Sequence, residues 1–333
     1  MEYVLLLVSF AIVLAGALLF TNAIEWIGHR LNLGEGAVGS ILAAVGTATP
    51  ETLIAIVALL GTAEGSADVA IGAIVGAPFL LATLAMGLVG LFAYLYREKR
   101  AQGIKLKAHG PTLERDLLFF LAFFSLAGVL AWGPPSALRI PLGIAFLLAY
   151  VFYVTRTLRG GGEVQGEETL NPLFFDPRTE RRSDPALGLC ILQLLVGLGA
   201  MVGGAHLFVE ELLHIADQIG VEALVLALIL APLATELPEK VNSFFWVREG
   251  KDALALGNIS GAMVFQSTIP VGIGLIFTDW ALDGNAVLSV VLGVAGGLLA
   301  YFSLHRAGVF RLPAVIGWFA LYSAFLVVVV LSA

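Results

Sequence analysis

The chain has 333 residues, of which 59% are hydrophobic and only 13% are charged, and its formal net charge is −7. Soluble domains carry about 25% charged residues, so this composition excludes an ordinary soluble globular protein. Apolar runs such as residues 3–20 and 314–333 are long enough to cross a bilayer. Cys190 is the single cysteine, so we expect no intrachain disulfide and no thiolate metal cluster.

The hydropathy pattern predicts an all-α polytopic membrane protein with ten transmembrane helices. In chain order they are predicted to cover residues 3–23, 37–62, 69–96, 116–133, 138–157, 187–213, 220–247, 253–278, 284–303 and 310–332. The first apolar run directly follows Met1 and Glu2, with no basic region and no cleavage site. We therefore expect a retained helix rather than a signal peptide.

The longest polar gap, residues 158–186, predicts a cytoplasmic linker between two halves of five helices each. The first half is expected to span residues 1–157 and the second half residues 187–333. The linker carries acidic residues, which leaves a regulatory Ca²⁺ site as one interpretation, but their spacing is not that of an EF-hand loop. We therefore expect a flexible tether.

The basic residues predict the orientation of the chain. If the N-terminus lies outside, 16 of the 18 Lys and Arg residues fall in cytoplasmic loops, as the positive-inside rule requires. Arg139 then lies outside, and Lys240 lies within a predicted helix. We expect an integral, multi-pass protein of a bacterial or archaeal cell membrane, with both termini outside.

A short motif occurs once in each half. The segment GTATPET at Gly46–Thr52 aligns without gaps with ATELPEK at Ala234–Lys240, and each lies near the middle of the second predicted helix of its half. The helix that follows each motif carries a Gly-x-x-x-Gly pattern, at Gly72 and Gly76 and at Gly257 and Gly261. An odd number of helices per half places the second half upside down, which predicts two inverted five-helix repeats.

The chemistry of the motifs indicates a cation site in the membrane. A charged residue at mid-membrane costs about 2.5–3.5 kcal/mol on insertion scales and marks a functional site. Proline inside a helix frees backbone carbonyls one turn earlier, so we expect irregular backbone near 44–47 and 232–235. Carboxylate and carbonyl oxygens together suit a hard cation such as Ca²⁺ or Na⁺. The glycines are expected to let the neighbouring helix pack closely.

The two motifs, each followed by a glycine-patterned helix, resemble the two α-repeats of the sodium/calcium exchanger family within the cation/calcium antiporter group. The resemblance covers essentially the whole chain and implies exchange of Ca²⁺ for Na⁺ or H⁺ by alternating access. It implies that Glu51 and Glu239 bind Ca²⁺, and that Thr47 and Thr235 contribute mainly backbone oxygen. It implies a transporter rather than an enzyme, with no cofactor besides the transported cations.

The sequence departs from the family pattern at several positions. The family usually has Ser where this chain has Ala48 and Glu236. In the helices that follow the motifs, the family usually has a Ser and, four residues later, an Asn or Asp; of these positions only Gln266 is polar here, and Ala77, Leu81 and Ala262 are apolar. The first half is therefore poor in candidate ligands, and the second half is enriched in them: Glu236, Glu239, Asn242, Asn258, Gln266, Ser267 and Thr268.

Glu236 leaves two interpretations of ion coupling open. A buried glutamate can titrate near neutral pH and so support proton coupling. Alternatively, Lys240 pairs with Glu236 one helical turn away and takes the place of a bound coupling cation. Asn242 and Asn258 have a structural alternative as contacts between helices.

The sequence also leaves functions other than Ca²⁺ exchange to be compared. Within transport, the alternatives are another divalent cation such as Mg²⁺ or Mn²⁺, or a proton-coupled carrier. A passive cation channel is more remote, because conduction does not need a cluster of acids and a lysine in the membrane. An intramembrane hydrolase is disfavoured because no intramembrane Asp pair is evident. The expected partners are membrane lipids and inorganic cations, without nucleic acid, and a monomer suffices to enclose the site.

Overall fold

The structure is a computed structural model that describes residues 1–30, 43–107, 110–159, 171–176, 184–307 and 309–332. Its helices in chain order are α1 (Glu2–Arg30), α2 (Ala43–Leu60), α3 (Ser66–Leu80), α4 (Met86–Leu95), α5 (Gly110–Val129), α6 (Ser136–Arg159), α7 (Leu187–Ile219), α8 (Ala223–Glu249), α9 (Asp252–Gln266), α10 (Ile269–Phe277), α11 (Gly284–Ala307) and α12 (Leu312–Ser332). A π-helical segment, Leu81–Ala85, joins α3 and α4 into one continuous helix. The strands β1 (Leu106–Lys107) and β2 (Val309–Phe310) form a short antiparallel pair.

The lengths and hydropathy of these helices confirm an all-helical, multi-pass membrane protein. Seven helical segments of the described chain are long and apolar enough to cross a membrane, and Thr49–Leu60 and Ala223–Leu233 are shorter apolar helices. Each of the ten predicted ranges overlaps a helix of the structure. The number of spans and the inversion of the halves stay predictions.

The eighth predicted helix, 253–278, matches one candidate membrane span, Asp252–Phe277, but the helix is interrupted within it. The structure ends α9 at Gln266 and starts α10 at Ile269. Pro270 lies in the first turn of α10 and has no N–H to donate to the preceding turn, which explains why the helix is interrupted there. In the first half, the matching place is the π-helical segment rather than a gap.

The flexible tether predicted for 158–186 also needs correction, because residues 171–176 dock between α1 and α7. The carbonyl oxygen of Asn171 accepts hydrogen bonds from Asn22 Nδ2 at 3.2 Å and Trp26 Nε1 at 2.9 Å. The Phe175 N–H donates to Gln193 Oε1 at 2.9 Å. The side-chain amides of Asn22 and Gln193 thus bond to backbone groups of the linker, which its polar sequence predicts to be solvated. Residues 160–170 and 177–183 of the linker lie outside the described residues.

Pairs of helices from different parts of the chain build the bundle. The helix α1 packs along α7, α3 packs along α8, α5 along α11 and α6 along α10. Almost all of the apolar window of α3 and α4 is buried, which places this helix at the centre of the molecule. The helices α2, α3, α8 and α9 all contact one another, so they enclose the two repeated motifs.

The glycine pattern on α3 permits a very close approach of α8. A Cβ added at Gly72 would lie 2.6 Å from the carbonyl oxygen of Leu224, and one at Gly76 would lie 2.5 Å from that of Leu228. Such distances are far below van der Waals contact, so only glycine fits at either position. The expectation of close packing is confirmed for this pair.

The glycines of α9 do not follow the same rule. No described atom lies within 4 Å of a Cβ built at Gly257 or Gly261. The expected close packing at these two positions is therefore not found among the described residues.

A buried ion pair joins the segment after α4 to the start of α9. Arg100 Nη2 lies 2.8 Å from Asp252 Oδ1, and both side chains are enclosed. The same guanidinium donates to the carbonyl oxygens of Gly103 at 2.9 Å and Lys105 at 3.1 Å, and it also bonds to that of Val247. Four partners satisfy this buried charge, which ties the loop between α4 and β1 to the turn between α8 and α9.

We expect Gly76→Ala to lower the thermal stability of the purified protein and to impair its function, because the methyl group would collide with the backbone of α8. Gly203→Ala on α7 is the control, because Gly203 is exposed and no described atom lies within 4 Å of a Cβ built there. Thermal unfolding in detergent measures both variants. Equal melting temperatures for the two variants would contradict the packing described for α3 and α8.

We expect Arg100→Met to destabilise the protein by about 3–5 kcal/mol, because the substitution breaks a buried ion pair by removing one of its two charges. Arg97→Met is the control, since Arg97 is partly exposed and faces Glu98 at 3.8 Å. Exposed pairs of this kind contribute about 0–1 kcal/mol. The two variants are compared by thermal unfolding in the same detergent, and a similar, small shift for both would refute the role assigned to Arg100.

Candidate cation site

The two proline motifs lie inside continuous helices. Pro50 lies within α2 and Pro238 within α8, so the irregular backbone predicted at these motifs is wrong at the level of helix assignment. A helix can continue past a proline at the cost of one missing hydrogen bond and a bend. Each proline still removes one N–H donor, which leaves the carbonyl group one turn earlier without its usual helical partner.

Glu51 of the first motif is a buried carboxylate. Only 3% of its surface is exposed, on a helix that contacts α3, α8 and α9. A carboxylate is stable in such a place only if polar groups or a cation compensate its charge. The position of Glu51 therefore agrees with a cation-binding role at the centre of the bundle.

Glu236 and Gln266 meet between α8 and α9. Gln266 Nε2 donates to Glu236 Oε1 at 3.1 Å, and 1% or less of either residue is exposed. Among the described residues, Gln266 Oε1 has no hydrogen-bond donor. A buried acceptor without a donor costs roughly 1–3 kcal/mol, so this oxygen has an unfilled capacity that a bound cation can satisfy.

The structure places the other described candidates close to α8. The Thr235 hydroxyl donates to the Ala231 carbonyl oxygen at 2.8 Å and is itself buried. Asn258 Nδ2 donates to Ser243 Oγ at 3.1 Å, which is a contact between α9 and α8. This contact agrees with the structural alternative for Asn258. Ser243 is a polar residue of this contact that the sequence pattern did not single out.

Several predicted residues have side chains outside the described part of the structure. Thr47 lies in α2, and Glu239 and Asn242 lie in α8, but only their helical backbone is described. The predicted pair of Glu236 with Lys240 falls outside the described residues for the same reason. Among the described residues, no group of three or more His, Cys, Asp or Glu side chains is arranged to hold a metal ion.

Two further threonines are buried, of which the sequence pattern singled out only Thr268. Thr83 lies in the π-helical segment, and Thr268 lies in the break between α9 and α10. Both are fully buried, and both donate their hydroxyl hydrogen to a carbonyl oxygen four residues earlier. Pro270, two residues after Thr268, is the sequence signal that could have revealed the break.

The described part of the site offers buried side-chain oxygen atoms of the kind that cation sites use. Glu51, Glu236 and Gln266 supply carboxylate and amide oxygens, which are the ligands that hard cations prefer. They come from three helices that cross at the centre of the protein. A central oxygen-lined site between helices is typical of transporters.

Known proteins share both the sequence pattern and the fold. The family model described as sodium/calcium exchanger protein matches residues 1–159 and 189–331. The putative antiporter CaxA of Alkalimonas amylolytica is 24% identical over 283 residues, which cover 85% of this chain and 83% of the relative. The inner membrane protein YrbG of Escherichia coli (strain K12) is 23% identical over 247 residues, which cover 74% of this chain and 70% of the relative.

Solved structures of exchangers have the same fold. The crystal structure of the H⁺/Ca²⁺ exchanger CAX matches with a TM-score of 0.76 and 19% identity, covering 98% of this chain and 82% of that chain. The sodium–calcium exchanger NCX_Mj, soaked with 2.5 mM Na⁺ and 0.1 mM Sr²⁺, matches with a TM-score of 0.61 and 20% identity, covering 98% and 99% of the two chains. Because the family model matches both halves, the chain belongs to the sodium/calcium exchanger family.

Proposed function

We propose that the protein is a secondary antiporter that exchanges Ca²⁺ for H⁺ or Na⁺ by alternating access. The observation that carries the proposal is the buried contact of Glu236 with Gln266. The helix α2, which carries the buried Glu51, contacts both of their helices. The chain also belongs to the exchanger family. The curated relative CaxA is named a putative antiporter, and the two solved structures are named as Ca²⁺ exchangers. The sequence keeps another divalent cation, Mg²⁺ or Mn²⁺, as the alternative substrate.

The proposed site joins the two motifs at the centre of two inverted repeats. Glu51 and Glu239 are the proposed carboxylate ligands, and Thr47 and Thr235 supply backbone oxygen. Gln266 adds its amide oxygen, which has no donor among the described residues. Asn242 and Asn258 are secondary candidates, and for Asn258 the contact with Ser243 supports a role in joining helices.

The surroundings of the site support H⁺ as the coupling ion. Ala77, Leu81 and Ala262 occupy positions where the resemblance implies polar residues, and all three are buried. They offer no side-chain oxygen to a second bound cation. Glu236 is instead an additional buried carboxylate, and acidic residues inside the membrane mark the ion and proton pathways of transporters.

The proposed setting follows from the helices and the basic loops. The protein lies in the cell membrane with both termini outside and the linker in the cytoplasm. Alternating access then exposes the site to either side through movement of one group of helices past another.

The proposed function is tested by ⁴⁵Ca²⁺ uptake into proteoliposomes with an outward H⁺ gradient or an outward Na⁺ gradient. We expect uptake in the wild type to be driven by H⁺, and Glu51→Gln and Glu239→Gln to reduce it at least about 100-fold, since each removes a charged ligand. Glu249→Gln is the matched control, because Glu249 is an exposed acid at the end of α8. Uptake driven by neither gradient would overturn Ca²⁺ antiport.

The role of Glu236 in coupling is tested separately. We expect Glu236→Gln to keep Ca²⁺ binding but to lose the stimulation of uptake by a pH gradient, because the amide has no acidic proton to exchange. Gln266→Leu, which copies the apolar Leu81 of the first half, is expected to weaken Ca²⁺ binding about tenfold and to keep the pH response. Unchanged pH dependence in Glu236→Gln would exclude this residue as the proton carrier.

A further inference from the structure

The third helix of each half is irregular at the same position. The alignment that matches Gly76 with Gly261 also matches Leu81 with Gln266. In the first half, the π-helical segment begins at Leu81, and in the second half, α9 ends at Gln266. Departures from α-helical geometry often lie at functional sites.

A threonine stands two residues after each of these positions, and both threonines make the same bond. Thr83 Oγ1 donates to the Phe79 carbonyl oxygen at 2.6 Å. Thr268 Oγ1 donates to the Val264 carbonyl oxygen at 2.7 Å, and Phe79 and Val264 occupy matching positions. Hydroxyl groups that bond to the preceding turn bend a helix. The two halves therefore share the same hydrogen bond from a threonine hydroxyl to the preceding turn.

The helix geometry that follows this threonine bond differs between the halves. In the first half, the Met86 N–H donates to the Leu81 carbonyl oxygen, and the helix continues. In the second half, Pro270 offers no N–H at the matching turn, and the chain tightens so that the Thr268 N–H reaches back only three residues, to the Phe265 carbonyl oxygen at 3.0 Å. The helix therefore continues in the first half and is interrupted in the second half.

The break sets the position of the last side chain of α9. Gln266 is the final residue of the helix, and its amide group reaches Glu236 on α8. The Thr268 hydroxyl also contacts the Phe265 carbonyl oxygen at 3.1 Å, so it holds the peptide group directly before Gln266. In the first half, the matching residue is Leu81, which has no polar group to position.

We propose that Thr268 is a positioning residue of the cation site, which fixes the end of α9 so that Gln266 presents its amide group to Glu236 and to the bound divalent cation. The inference rests on the proposed function, since it assigns a ligand-positioning role within the same site. Thr83 keeps the bend of the first half without a ligand to position. A purely structural threonine would affect stability but would not depend on Gln266.

The test is equilibrium binding of ⁴⁵Ca²⁺ to the purified full-length protein in detergent. We expect Thr268→Val to weaken binding about fivefold to tenfold, the effect of losing one hydrogen bond that orients a ligand. Thr268→Ser keeps the hydroxyl group and is expected to bind within about twofold of the wild type. Thr83→Val is the matched control and is also expected to stay within about twofold.

Two further variants make the inference specific. In the Gln266→Leu background, Thr268→Val should cause no additional loss, because the side chain to be positioned is gone. Pro270→Ala restores an N–H at the break and is expected to weaken binding as Thr268→Val does, with the threonine intact. This variant tests the inference even if Thr268→Val fails to fold.

The outcomes separate the inference from the proposed function. A wild type that binds no Ca²⁺ contradicts the proposed function and the inference with it. A wild type that binds Ca²⁺, together with normal binding in Thr268→Val or in Pro270→Ala, overturns the inference alone. An equal additional loss from Thr268→Val in the Gln266→Leu background also overturns it, since it shows that the threonine acts independently of Gln266.

Discussion

A polar group in the interior of a membrane must find its partners within the protein, and the centre of this structure depends on that constraint. Glu51 and Glu236 are buried carboxylates, and Gln266 is a buried amide, in a bundle whose other central residues are almost all apolar. The pair of Gln266 with Glu236 satisfies part of this demand. The amide oxygen of Gln266 has no donor among the described residues, which agrees with the cation-binding role proposed for it.

The same constraint shapes the packing around the site. On α3, Gly72 and Gly76 bring the backbone of α8 close, which leaves no room for lipid or water between these two helices. On α9, the space around Gly257 and Gly261 is free of described atoms, although the sequence pattern is the same. The tight contact of α3 with α8 therefore holds the helix that carries Glu236 against the centre of the bundle.

The sequence predicted the membrane class and the family, and each predicted range overlaps a helix, because long apolar runs and two duplicated motifs are strong local signals. It did not predict the break at Ser267 and Thr268, because Pro270 lies within a continuous apolar run. It also missed the docking of residues 171–176 on Asn22 and Gln193, because hydrogen bonds between distant segments leave no trace in hydropathy. Of the candidate site, Glu51, Thr235, Glu236 and Gln266 are indeed buried, whereas the contact of Asn258 with Ser243 required the packing of α8 against α9 to be known.

The central claim is that one cation binds between α2, α8 and α9, and anomalous diffraction from crystals soaked with Sr²⁺ tests it most directly. The account predicts a single strong peak within about 2.6 Å of a Glu51 carboxylate oxygen and near the Gln266 amide oxygen, the distance range of a large divalent cation bound by oxygen. The peak should disappear in crystals of Glu51→Gln grown in the same form. A peak that lies away from these three helices, or one that persists in the variant, would contradict the account.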